Sequence, residues 1–207
     1  MSVEFAKSET KENLMRAFAG ESQARMRYTM AAGEARDQNK YVVAAVFTFT
    51  ADQEKEHAER YYKLLKEFTG ETITVGGTYP VDLSDSLENL LSAAQHNEYE
   101  EHDDVYRNFG DKAKEEGFNK IANVFYMIAE VEKTHGDRFG YLAQLIREDK
   151  LFVSDVKIGW MCLNCGYIIE SASAPQKCPV CEHDQGYFIR LELAPFVGNA
   201  VQAEQNQ

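Results

Sequence analysis

The sequence has few prolines, few basic residues and no long apolar run. Its 207 residues include four prolines, four cysteines and one tryptophan, and 34 acidic side chains outnumber 22 lysines and arginines for a formal charge of −12. That balance argues against a nucleic-acid partner, because neutralising a phosphate backbone needs a basic footprint. Anionic membrane surfaces are disfavoured on the same ground. The longest strongly apolar run, Tyr41 to Phe47, is too short to span a bilayer. Residues Met1 to Ala6 show neither the basic flank nor the apolar core of a secretory signal, so a cytoplasmic location is expected. In that reducing compartment the four cysteines are expected to be metal ligands rather than a disulfide framework.

Helical periodicity runs over about Thr10 to Asp37, Tyr41 to Thr69, Ser84 to Glu116 and Phe118 to Asp149. Gly70 ends the second segment, and Glu71 to Asp82, with Gly76, Gly77 and Pro80, reads as a long connection. Ser84 or Asp85 is expected to cap the third helix, and Gly117 to separate it from the fourth. Two short loops around one long crossover is the wiring of a ferritin-like four-helix bundle. After Lys150 the texture changes to short β-prone runs, Tyr167–Ile169 and Tyr187–Ile189, among glycines, prolines and all four cysteines. The expected fold is therefore mainly α: a four-helix bundle over residues 1–150, a small β-rich metal domain over 151–195, and a polar, disordered tail over 196–207.

Each helix carries an inward stripe interrupted at mid-length by acid or histidine. Leu14, Glu21 and Tyr28 follow one another by sevens, as do Phe47, Glu54 and Tyr61, and Phe125, Glu132 and Phe139. The third segment gives Leu87, Leu91, Ala94, Glu98, Glu101 and Val105 in steps of four and three. His57 and His135 each follow a glutamate by three residues, which puts both ligands on one helix face. A lone Glu-x-x-His is usually a solvated helix face. Here five carboxylates point at one core, and buried charges must be paired or coordinate metal. One glutamate from each of two helices with Glu-x-x-His from each of the others is the pattern of di-iron and di-manganese carboxylate bundles. Oxygen-rich ligands with two imidazoles suit iron or manganese better than zinc. The arrangement also repeats internally, with 33 residues from Glu21 to Glu54 and 34 from Glu98 to Glu132. Glu101 exceeds the symmetric set, so the two metal positions should differ. Glu59, Glu100, Glu130 and His102 are expected at the surface or behind the ligands, and His96 and His183 have no comparable context.

Cys162, Cys165, Cys178 and Cys181 form two CxxC knuckles, a strong tetrahedral four-thiolate signal. Zinc ribbons share the spacing, and tetrahedral sulfur accepts either ion. The aromatic residues Trp160, Tyr167 and Phe188, and the value of a redox partner for the other site, favour iron.

These residues resemble the rubrerythrin family over residues 5 to about 190. The resemblance rests on Ala19-Gly-Glu21-Ser-Gln-Ala-Arg25, Glu54-x-x-His57, Glu98-x-x-Glu101-His102, Glu132-x-x-His135, Trp160-x-Cys162-x-x-Cys165-Gly166-Tyr167 and Cys178-Pro179-x-Cys181. It implies two non-haem irons bridged by Glu54 and Glu132. Glu98 and His135 then hold one iron, and Glu21 with Glu101 the other, His57 replacing Glu101 on reduction. It implies further that Tyr28 and Tyr106 hydrogen-bond near the site, and that a third iron sits on the four cysteines. The first knuckle lacks the proline of rubredoxins proper, and Glu182 stands where they have glycine.

The function expected from these features is reduction of hydrogen peroxide at the di-iron site, re-reduced through the cysteine-bound iron by an upstream donor, a rubredoxin or a reductase. A ferroxidase or iron-handling protein, and a zinc-ribbon adaptor on a helical scaffold, are the alternatives. Asp149 lies fourteen residues beyond His135, roughly 20 Å along a helix, so the small domain hangs far from its own di-iron level. Electrons are therefore expected to cross between subunits of a homo-oligomer, at least a dimer.

Overall fold

The computed structural model describes residues 3–196, so the tail expected from residue 196 lies, Phe196 apart, outside the described residues. Helix α1 (Glu9–Asp37) starts at Ser8, whose hydroxyl accepts the Lys11 N–H, and carries Glu9 and Glu12 in its first turn, where the helix dipole favours acid. Asn39, at φ 55, turns the chain into α2 (Tyr41–Leu64), packed along α1. The second helix stops at Leu64 rather than Thr69, because a 3-10 turn (Lys66–Phe68) and Gly70 at φ 91 end it.

The crossover then runs irregularly beside α1. Arg16 Nε donates to the Gly76 carbonyl at 3.0 Å, the Tyr79 hydroxyl to the Arg16 carbonyl at 3.2 Å, and Arg27 to Asp82 at 2.7 Å. The cap of α3 (Leu87–Glu100) is Ser86, which accepts the Asn89 N–H, while Ser84 acts one step earlier on the Ser86 N–H. The Ser86 backbone is extended at the helix entry, as a capping residue's is.

The expected single third helix is interrupted. Between α3 and α4 (Tyr106–Glu115) runs a π-helical stretch, Glu101–Val105. Gly117, at φ 92, separates α4 from α5 (Asn119–Arg147), against which α3 and α4 both pack. Two helical hairpins joined by the crossover make a ferritin-like bundle. Among the described residues no helix is long and apolar enough to cross a membrane.

The segment after Lys150, where the small domain begins, is mostly strand. β1 (Val153–Cys162) is the centre of a three-stranded antiparallel sheet, flanked by β2 (Ile168–Ser173) and β3 (Phe188–Arg190). A register shift between Val153 and Ile158 breaks the in–out alternation that would have marked β1 in the sequence. Trp160, fully buried, faces Ile169 on one side and Arg190 on the other.

One apolar cluster joins Phe47, Phe139 and Leu142 of the bundle to Phe152, Trp160, Phe188 and Ile189 of the sheet. Tyr41 stacks on Tyr187 with centroids 4.1 Å apart, and Arg190 donates to the carbonyls of Lys150 and Val153. The sheet is thus seated on the bundle end formed by the α1–α2 turn and the end of α5. A second cluster, containing Leu14, Tyr61, Tyr106 and Phe125, fills the opposite half.

Gly186 lies so close to the α1–α2 turn that an added Cβ would sit 1.9 Å from the Asn39 carbonyl oxygen. Gly186→Ala is predicted to lower stability by about 1–3 kcal/mol, the usual cost of overpacking. Urea unfolding measures it; an unchanged midpoint would show that sheet and bundle are not pressed together there.

Candidate metal centre

Between the two apolar clusters lies a polar layer. Glu21 on α1, Glu54 on α2, Glu98 on α3, and Glu132 and His135 on α5 are each at most 1% exposed. His57, one turn beyond Glu54, keeps 13% of its side chain exposed. The ligand atoms fall into two groups, Glu21, Glu54, His57 and Glu132, and Glu54, Glu98, Glu132 and His135, within each of which they lie no more than 4.8 Å apart. Glu54 and Glu132 belong to both. Glu54 turns Oε2 to His57 Nδ1 at 3.1 Å and Oε1 to His135 Nδ1 at 3.0 Å. Glu132 does the same with Oε1 at 3.0 Å and Oε2 at 2.9 Å. Each of these carboxylates therefore faces two centres, one through each oxygen.

The residues present fit two bound cations. Glu21 Oε2, Glu54 Oε1, Glu98 Oε2, both Glu132 oxygens and His135 Nδ1 are buried without a hydrogen-bond partner. His135 Nδ1 has three carboxylate oxygens at 2.9, 3.0 and 3.4 Å, yet donates a well-aligned bond to none. Adjacent ligands on a cation with bonds of about 2.1 Å lie about 3 Å apart, so this is the spacing of a coordination shell.

Tyrosines secure the outer glutamates crosswise. The Tyr28 hydroxyl of α1 donates to Glu98 Oε1, and the Tyr106 hydroxyl of α4 to Glu21 Oε1 at 2.6 Å. Tyr28 follows Glu21 by seven residues, whereas Tyr106 follows Glu98 by eight. The π-helical stretch accounts for the extra residue, and Glu101 is its first member.

Glu101 belongs to neither ligand group. Only partly buried, it stands in the wall of a cavity of about 360 Å³ under the crossover, lined also by Gly20, Tyr79, Asn97 and Tyr106. His57 occupies the place among Glu21, Glu54 and Glu132. It is the arrangement that the family resemblance implies for the reduced site. Glu100 and Glu130 are exposed, Glu59 is half-buried, and His102 is held by Asp103 and Arg107.

Without cations, protons compensate the charge. Burial, then repulsion from Glu132 and Glu54, raises the Glu21 pKa, while burial and Glu54 push Glu98 up to about 8. Glu101 is raised by burial and by Glu98. Burial opposes the ionised forms of Glu54 and the two histidines, but their mutual attraction prevails: Glu54 falls to about 2, while His57 rises to about 10 and His135 to about 12.

The four cysteines converge in the small sheet. Cys162 and Cys181 have sulfurs 3.7 Å apart, and Cys165 and Cys178 3.6 Å. That is far beyond a disulfide and near the roughly 3.8 Å edge of a tetrahedron with bonds of about 2.3 Å. Burial pushes the Cys162 thiol up to about 12, and the His183 backbone N–H draws Cys181 down to about 6. The knuckles turn alike, Gly166 N–H donating to the Cys162 carbonyl and Glu182 N–H to that of Cys178. Glu182 has φ 61, so the position at which it departs from rubredoxins is a left-handed one that glycine adopts without strain.

Comparison with known proteins agrees with this geometry. A family model described as Rubrerythrin matches residues 12–143, and one described as rubrerythrin, rubredoxin-like domain, matches residues 160–189. A rubrerythrin of Clostridium perfringens is 47% identical over 183 residues, covering 87% of this chain and 93% of the relative. That of Nitratidesulfovibrio vulgaris is 39% identical, covering 90% and 96%. Among solved structures, fully reduced, all-ferrous nigerythrin is similar at a TM-score of 0.59 and 32% identity, over 92% of this chain and 88% of that one. A Desulfovibrio desulfuricans bacterioferritin, at 0.61 and 24% identity over 69% and 82%, shares the fold.

The raised pKa values give a pH prediction. Between the ordinary value of 4.5 and about 8 for Glu98, and between 6.5 and about 10 for His57, the folded metal-free chain holds protons that the unfolded chain has lost. Its stability should therefore fall from about pH 5 to about pH 9, by up to about 1.4 kcal/mol per pH unit for each proton held. Glu54 has the opposite sign, but its window lies below pH 4.5. A divalent cation needs deprotonated ligands, so stabilisation by added Mn(II) should grow over the same range. Urea unfolding at three pH values with and without Mn(II) tests both trends, and a flat metal-free profile contradicts the assignment.

Proposed function

Because the chain belongs to the rubrerythrin family, with a di-iron site in its glutamate–histidine layer and a four-cysteine iron centre in its sheet, we propose that it reduces hydrogen peroxide to water. The balance is one peroxide, two electrons and two protons to two waters. When bound, the two irons supply both electrons together and the cysteine-held iron restores them one at a time. The observation that supports this reading is the pairing, in one chain, of a buried two-cation layer with a separate one-electron centre. An iron store has no need of the relay, and a zinc-ribbon adaptor has no need of buried carboxylates.

In this reading Glu54 and Glu132, which belong to both ligand groups, would hold both irons, Glu98 and His135 would hold one, and Glu21 the other. Tyr28 and Tyr106 each hold one oxygen of Glu98 and Glu21, leaving the second oxygen aimed inward. The cavity beside Glu101 and Tyr106 admits a small neutral oxidant, while the apolar clusters on either side exclude bulk water. Glu101 and His57 would alternate as ligands: the imidazole would serve the reduced site, and the carboxylate, now in the cavity wall, would serve the oxidised one. The π-helical stretch that begins at Glu101 is consistent with this role, since such bulges inside α-helices often occur at functional sites. Moving a carboxylate on as the cations gain charge keeps the buried site near neutrality.

We assign the chain to the cytoplasm, where thiolates stay reduced, with a rubredoxin or reductase as upstream donor. We also propose that electrons cross between subunits. Thirteen residues of α2 separate Tyr41, against which the small sheet stacks, from Glu54, or about 20 Å along the helix. A neighbour packed head to tail brings its sheet closer to this bundle's middle. The test mixes Cys162→Ser with a Glu54→Ala/Glu132→Ala double variant, each inactive alone, under subunit exchange. Recovered peroxide reduction is expected. A dead mixture containing proven mixed dimers contradicts transfer between chains, and a wild-type protein that leaves peroxide untouched contradicts the function itself.

Glu101→Ala is predicted to keep most of its iron, since His57 completes the reduced site, but to lose the redox-linked change in ligation and slow turnover at least tenfold. Metal analysis and the absorption spectra of both states check this. Loss of both irons, or normal turnover, rules Glu101 out as the exchanging ligand.

A further inference from the structure

Three tyrosines stand about two turns beyond a layer glutamate: Tyr28 after Glu21, Tyr106 after Glu98 and Tyr61 after Glu54. Helical side chains lean toward the N-terminus, so a phenol in that position reaches back to the glutamate's level. Tyr28 and Tyr106 show it, each ending on a carboxylate. Tyr61 is fully buried on the same α2 face as Glu54, its ring 5.5 Å from that of Tyr106, and its hydroxyl has no hydrogen-bond partner. The corresponding position after Glu132 is Phe139, which has no hydroxyl to satisfy. A buried hydroxyl left unpaired is costly, and phenylalanine would fill the space without that cost.

We propose that the Tyr61 hydroxyl is a substrate-binding group: it donates a hydrogen bond to the oxygen of hydrogen peroxide held on the Glu21–His57 side of the layer. Its side of the layer follows from its neighbours. Tyr106 bonds Glu21, Glu21 is the carboxylate that bears most on Tyr61, and the aromatic cluster around Tyr61 and Phe125 closes that half against bulk water. Tyr28 and Tyr106 are already committed to Glu98 and Glu21, so among these three phenols only Tyr61 is free to donate to a newcomer. The proposal rests on the peroxide reading above and adds a contact that breaks the near twofold symmetry of the site.

The experiment uses azide, an unreactive acceptor of similar size, titrated without oxygen into the iron-loaded, reduced protein, the state that meets peroxide, and followed by calorimetry. Tyr61→Phe should weaken azide binding about five- to tenfold, the worth of one hydrogen bond, and raise KM for peroxide by a similar factor. Iron content and the thermal midpoint should not fall. Tyr61→Leu, which removes the ring as well, separates packing from the hydroxyl. Wild-type azide affinity in Tyr61→Phe overturns the proposal, whatever the leucine variant does. Failure of the wild-type protein to reduce peroxide would sink the functional reading instead, because the azide comparison reports on the hydroxyl alone.

Discussion

Mutual repulsion among buried carboxylates is the constraint on which this bundle turns. Glu21, Glu54, Glu98 and Glu132 meet in a layer sealed by apolar clusters on both sides, where each uncompensated charge costs several kcal/mol. Two divalent cations balance four carboxylates with neutral imidazoles beside them. Protons perform the same service less well, as the raised pKa values of Glu21, Glu98 and both histidines show. The crosswise tyrosines and the long, uninterrupted helices α1, α2 and α5 hold these groups at one height.

The near symmetry of the two hairpins makes its violations informative. The π-helical stretch adds one residue between Glu98 and Tyr106, moves Glu101 to the cavity wall and leaves His57 inside. Tyr61 faces the layer where its counterpart is Phe139. All of these departures lie on or beside the Glu21 half. A symmetric pair of cations would need none of them, whereas a site in which one position exchanges ligands and receives a small substrate has use for each.

Much of this was legible in the sequence because two periodicities report it directly. Steps of seven put Leu14, Glu21 and Tyr28, or Phe125, Glu132 and Phe139, on one buried face, and CxxC spacing admits little but a metal. The π-helical stretch was not legible: steps of four and three from Glu98 to Val105 suit an ordinary helix, and one extra backbone residue leaves no mark on them. Strand β1 was hidden by its register shift and by Asp155 and Lys157 within it. That the α3 cap falls on Ser86 was not legible, because Ser84, Asp85 and Ser86 stand in a row and all three are residues favoured as caps. In the sequence Tyr61 is one more member of an apolar stripe, and only the missing partner of its hydroxyl singles it out.

Sharing of Glu54 and Glu132 by two cations is the arrangement on which the rest depends. Anomalous X-ray diffraction from crystals of the metal-loaded protein measures it directly. Two peaks are expected in the polar layer, about 3–4 Å apart as in other two-metal sites, each within bonding distance of one oxygen from both Glu54 and Glu132. A single peak, or two peaks that do not share these carboxylates, would contradict it.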